Sequence, residues 1–146
     1  MTRTDRVPLY TAEMLALAVE LARRPLTDDL PERAEIRSRT CGSTLRLGLG
    51  CDAAGRIQRV GLAISACAVG QAAAAIFARH ARGRNGEALD TMGRAIARWL
   101  GGDAPMPDWP DLEMLTPALP HPGRHEAILM PWRAAVQALS NRATAS

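Results

Sequence analysis

The stretch TLRLGLGCDAAGRIQRVGLAI, residues 44–64, decides the fold. Leu45, Leu47, Leu49 and Cys51 alternate with Arg46, Gly48 and Gly50, the period-two pattern of a strand that buries one face. Asp52-Ala53-Ala54-Gly55 is a turn signal, and it returns the chain into RIQRVGLAI (56–64) as an antiparallel partner. Just upstream, EIRSRT (35–40) alternates more weakly and reads as a third strand. The polar run PLTDDLPERA (25–34) reads as a loop.

Outward from this sheet the pattern turns helical. Residues 8–23 open with Pro8 and place Tyr10, Met14, Leu17, Ala18 and Leu21 on one helical face, with Pro25 as the stop. An alanine-rich helix from about Ala68 stops at Gly83, and a second spans roughly 86–100 and ends at Gly101-Gly102. The proline-rich DAPMPDWP (103–110) reads as a surface linker, and 111–119 as a short helix. RHEAILMPWRAAVQALSNR then forms a last amphipathic helix that Pro131 should kink or delay. The expected fold class is α+β: one antiparallel sheet of about three strands with helices packed on one face, in a single domain spanning 1–146.

Composition narrows the chemistry. The 146 residues suffice for a core without staples. All 18 basic residues are arginine, which excludes Schiff-base chemistry on lysine. They are scattered from Arg3 to Arg142, and the densest group, Arg79, Arg82 and Arg84 beside His80, has no interleaved aromatics in sequence. That scatter argues against a nucleic-acid partner. No apolar run reaches the roughly 18 residues of a membrane span. The start MTRTDRVPLY has no apolar signal core, and three cysteines do not make a disulfide framework. Free thiols in a reducing cytoplasm are the expectation.

Three cysteines and three histidines carry the remaining possibilities. Cys51 continues the Leu45/Leu47/Leu49 face and reads as a small core residue. Cys41 precedes Gly42, where the backbone can turn sharply and expose a side chain. Cys67 opens the alanine-rich helix, where the positive end of the dipole favours a thiolate. His125 lies near the start of the last helix, a place that favours the neutral, ligating imidazole; His80 and His121 read as surface residues. No CxxC pair is present, and spacing alone leaves both a metal site and a Cys41–His125 nucleophile pair open.

The order of four segments adds a resemblance. YTAEMLALAVELARRP (10–25) resembles the opening helix of the iron–sulfur cluster assembly scaffolds, the NifU N-terminal/IscU/SufU family, most of all its SufU-like branch. TCGSTLRL (40–47) resembles the family's Cys-Gly-Asp turn into a strand, and ACAVGQAAAAIF (66–77) its helix start with the second cysteine, followed at a similar interval by Gly83-Arg84. RHEAILMPWRAAV (124–136) resembles the segment Arg-x-Lys-Cys-Ala-x-Leu-x-Trp with the third cysteine. The resemblance implies a SufE/NifU-like fold and a site that holds a transient iron–sulfur cluster or zinc. It also implies a cysteine desulfurase and apo iron–sulfur acceptor proteins as partners, with no role at a membrane.

Carried over residue by residue, Cys41 and Cys67 match two of the family's cysteines, as ligands or sulfur acceptors. The family's aspartate position is Ser43, and its third cysteine falls on Ala127. The resemblance therefore implies His125 as substitute third ligand, with Glu126 as the neighbouring alternative. Soft thiolates with an imidazole suit zinc or an iron–sulfur cluster, and three protein ligands leave one position open for transfer. Two other readings stand beside this one. The chain is a degenerate scaffold that acts as an interaction module without metal, or it is a thiol enzyme built on Cys41.

Overall fold

In the computed structural model the described residues are 11–40 and 42–145, with side chains described through Arg142. Pro8, Tyr10 and Cys41 lie outside them. Helix α1 (Ala12–Glu20) starts at Thr11, whose hydroxyl accepts the Met14 amide at 3.1 Å, and passes into a 3-10 turn, Leu21–Arg23. The described part of this first helix is thus shorter than the 8–23 expected. Strands β1 (Glu32–Arg37), β2 (Thr44–Cys51) and β3 (Ile57–Ser65) form an antiparallel meander in the order β1-β2-β3. The first strand begins inside the run expected to be loop, because its half-buried face is Glu32, Ala34 and Ile36, of which only two are apolar.

Register puts Ile36 opposite Leu45, Ala34 opposite Leu47, and Leu47 opposite Leu62. These residues share the face covered by the helices. Helix α2 (Ala68–His80) is buried along most of its length and packs against α1. Helix α4 (His125–Ala145) lies against α2, β1 and β2, and α3 (Gly86–Leu100) packs on α4. Phe77, Trp109 and Trp132 meet at the centre, with Phe77 stacked on Trp109 at 5.9 Å and both edge-to-face with Trp132. These three aromatics alone would not fill a core this size. Alanine and leucine do, which is why helices approach closely.

Pro131 neither delays nor ends α4, which runs continuously from His125. The proline sits in the second turn, where it removes only the hydrogen bond to the Ala127 carbonyl. The expected helix at 111–119 is a 3-10 helix, Leu112–Ala118, entered through Asp111 at φ 70°. The opposite face of the sheet is not open either. The 25–30 loop lies over the cross-strand pair Gly48–Gly61, and the Leu62 amide bonds the Arg24 carbonyl at 2.9 Å. A Cβ on Gly61 would stand 2.6 Å from the Pro25 carbonyl oxygen, so these glycines are required by the loop.

Candidate functional site

One end of the sheet gathers Ser43, the start of α2 at Cys67, and the first turn of α4, which carries His125 and Glu126. Thr44 pairs with Ser65 at the last rung of β2 and β3, so the segment leading into β2 runs alongside Ala66 and Cys67 leading into α2. Cys67 is the N-cap of α2, with an extended backbone (φ −65°, ψ 169°), and its side chain makes no capping hydrogen bond. The thiol is half-buried and free. Ser43 is buried, at 5% exposure, and its carbonyl accepts the Ser38 amide at 2.8 Å. That bond closes the neck of a loop, 38–43, whose Gly42 has φ +71°. Cys41 belongs to this loop by sequence and lies outside the described residues.

The first turn of α4 reaches the same loop. Glu126 Oε1 accepts the amides of Arg39 (2.6 Å) and Thr40 (3.1 Å) and the hydroxyls of Ser38 (2.8 Å) and Thr40 (3.3 Å). These bonds, the Ser38 hydroxyl first, hold the Glu126 carboxyl below its ordinary value. His125, the residue before it, has Nε2 at 3.1 Å from the carbonyls of both Ala118 and Leu119. An Nε2–H shared between two carbonyls leaves Nδ1 as the ring's lone-pair nitrogen, the arrangement that orients a ligating histidine. Ala127 is fully buried, and a Cβ placed on Gly70 would lie 3.3 Å from its methyl group. Position 127 therefore faces the first turn of α2.

Among the described residues no three of His, Cys, Asp and Glu stand close enough together to hold a metal ion. Cys51 is at the far end of β2, opposite Ile57, where burial pushes its thiol up. His121 is exposed as expected, whereas His80 is half-buried in a network that the sequence did not reveal. Its Nε2 lies 2.7 Å from Asp111, which also pairs with Arg79 at 3.1 Å, while Arg79 forks onto Glu20. Arg84 stacks on Trp109, 4.1 Å from the ring, so an aromatic absent from the local sequence does join this arginine group. All of it ties α1, α2 and the 109–111 linker together.

Neither a protein-family model nor a curated protein sequence matches the chain. Solved structures do. An N-terminal NifU-like protein from Brucella abortus, described as nitrogen-fixing, superposes with a TM-score of 0.84 over 94% of this chain and 96% of that one, at 24% identity. A proposed iron–sulfur cluster assembly scaffold of the SUF system from thermophilic Fervidobacterium islandicum AW-1 gives 0.76 over 90% and 96%, at 18% identity. The chain has the fold of the NifU-like N-terminal domain. In this NifU-like fold the α+β expectation holds, with three antiparallel strands and helices on one face. No helix among the described residues is long and apolar enough to cross a membrane.

Proposed function

We propose that this NifU-like chain is a scaffold or sulfur-acceptor protein of iron–sulfur cluster assembly. The observation that carries the reading is the meeting of three segments at one end of the sheet: the 38–43 loop, the Cys67 N-cap of α2 and the first turn of α4. Cys41 and Cys67 supply the thiolates, and His125 supplies an imidazole nitrogen. The cargo is a transient cluster, or zinc in its place. Both suit soft sulfur donors, and a donor set of three leaves a position open through which cargo leaves.

As sulfur acceptor, a thiolate attacks the outer sulfur of a persulfide on a cysteine desulfurase. The donor's S–S bond breaks, the donor departs as a thiolate, and the acceptor now carries the persulfide. Apo iron–sulfur proteins are the onward recipients, and a reducing cytoplasm is the compartment in which such thiols persist. Ser43 brings no formal charge to the site. The residues that fit the cargo number one thiolate fewer than the resemblance implies, because position 127 is alanine.

That same alanine supports a second reading. With Ala127 buried against α2 and one Glu126 oxygen filled by four donors, the fold also suits an interaction module that binds no metal. Anaerobically purified protein, assayed for zinc and iron beside Cys41→Ala and Cys67→Ala, separates the two. The scaffold reading expects bound metal in the wild type and its loss in either variant. Metal-free wild type with two independently reacting thiols supports the module instead.

A further inference from the structure

One oxygen of Glu126 collects four donors from three consecutive residues, two of them main-chain amides. The sequence separation is 86 to 88 residues, so this is a tertiary clasp and not a local turn. The loop it holds is closed a second time at its neck by Ser38 N–H donating to the Ser43 carbonyl. The Thr40 hydroxyl also reaches the Gly123 carbonyl, at 3.5 Å, on the turn before α4. The loop is thus pinned at 38–40 and at 43. Residue 41 is the cysteine, and Gly42, at φ +71°, has no atom within 4 Å of where a Cβ would be.

We infer that Glu126 is a positioning residue that sets the conformation of Ser38–Thr40, the segment next to Cys41 in the chain, and that it acts through this backbone and not as a ligand. The inference rests on the functional reading above only in making Cys41 the thiol that matters. A carboxylate suits the task, since two N–H and two O–H groups converge on a single oxygen and only an anionic acceptor satisfies that many donors strongly. It also lies in the first turn of α4, where the helix dipole stabilises negative charge. His125 and Glu126 then divide the work of that turn: the histidine holds the 118–119 carbonyls and the glutamate holds the loop.

The test compares wild type, Glu126→Ala and Glu126→Gln, reading the iodoacetamide alkylation rate of each cysteine by peptide mass spectrometry on metal-free protein. Release of the clasp should speed Cys41 by about fivefold or more, because the loop gains open conformations, with Cys67 and Cys51 unchanged. Glutamine keeps a carbonyl acceptor in place and should restore much of the wild-type rate. Amide hydrogen exchange at Arg39 and Thr40 should rise in the same order. If Glu126→Ala does not fold, the glutamine variant carries the test through the same two amides, with a smaller rise expected from its weaker acceptor.

Unchanged Cys41 reactivity and unchanged exchange at Arg39 and Thr40 in the folded variants overturn the inference, as does an equal acceleration of all three cysteines. Zinc and iron content, measured separately on the wild type, decides the scaffold reading. A metal-free wild type with a selective Cys41 effect keeps the clasp and removes the scaffold. A metal-bound wild type with no such effect does the reverse.

Discussion

Replacing Gly61 with alanine should destabilise the protein through a loop that sequence periodicity cannot detect. A Cβ at this position would lie 2.5 Å from Leu30 Cδ1, 2.6 Å from the Pro25 carbonyl oxygen and 3.1 Å from Leu26 Cα. The leucine methyl can rotate away, but the Pro25 oxygen and Leu26 Cα are main chain. The loop must therefore move by several tenths of an ångström, one residue from the Arg24–Leu62 hydrogen bond that holds it to the sheet edge. Overpacking of this kind costs about 1–3 kcal/mol. Weakening the edge bond adds up to about 1 kcal/mol, and the better strand propensity of alanine returns roughly 0.5–1 kcal/mol. The net loss is about 1–3 kcal/mol, which for 146 residues lowers Tm by about 3–10 °C. Differential scanning calorimetry measures it, with Gly123→Ala as control, since no atom lies within 4 Å of a Cβ there. A Gly61→Ala protein that melts at or above the wild-type temperature would refute the reasoning, because the loop would then not rest on the sheet as described.

Cys67→Ser should abolish metal retention yet leave stability unchanged or raised by about 0.5–1 kcal/mol, because serine caps a helix and the present thiol makes no capping bond; metal analysis and a thermal melt on one sample check both halves. Trp109→Phe removes the indole bond to the Ile76 carbonyl (3.1 Å) and leaves that buried acceptor unpaired, for a loss of about 1–3 kcal/mol read from the urea midpoint. The acid limb of stability should depend on Arg79. The His80 and Arg79 hydrogen bonds hold the Asp111 carboxyl below its ordinary 3.8, and Arg79 holds Glu20 below 4.5. Lowered carboxylates stabilise above their ordinary values and lose that contribution as pH falls through the folded ones. Tm should thus fall below about pH 4, and Arg79→Gln, costing about 1 kcal/mol at pH 7, should cost much less at pH 2–3. A constant difference between wild type and variant across that range would contradict this assignment.

What the sequence made legible follows from which forces are local. The hairpin 44–64 and α3 were readable because alternation, the Asp52–Gly55 turn and the Gly101-Gly102 stop all act within a few residues. Asn85 accepts the Ala88 amide at 2.9 Å, which fixes the start of α3 where the glycine-ended pattern placed it. The start of β1 was not readable, since an edge strand with only two apolar residues, Ala34 and Ile36, on its half-buried face hardly departs from a polar loop. Cys67 at a helix start and His125 in the first turn of α4 were legible as positions. Their partners were not. The donors to Glu126 and the carbonyls on His125 come from other segments, and a run such as Ser38-Arg39-Thr40 signals only an abundance of donors. Asp111, read as the first residue of a short helix, instead enters it at φ 70°, a conformation aspartate tolerates better than most side chains.

Ala127 and Gly70 belong together in any account of the proposed site. The first turns of α2 and α4 approach so closely that a Cβ on Gly70 would press on the methyls of both Ala66 (2.9 Å) and Ala127 (3.3 Å). A sulfur at 127 would need space in that same contact. Position 127, where the resemblance places a third cysteine, is thus part of a tight helix–helix junction and not an exposed position. The junction has a structural consequence for the residues that remain. It brings the α4 first turn hard against the start of α2, and from there Glu126 reaches the 38–40 backbone and His125 reaches the 118–119 carbonyls. Close packing by small residues and the Glu126 clasp on residues 38–40 are therefore one arrangement, because the same first turn of α4 makes both contacts.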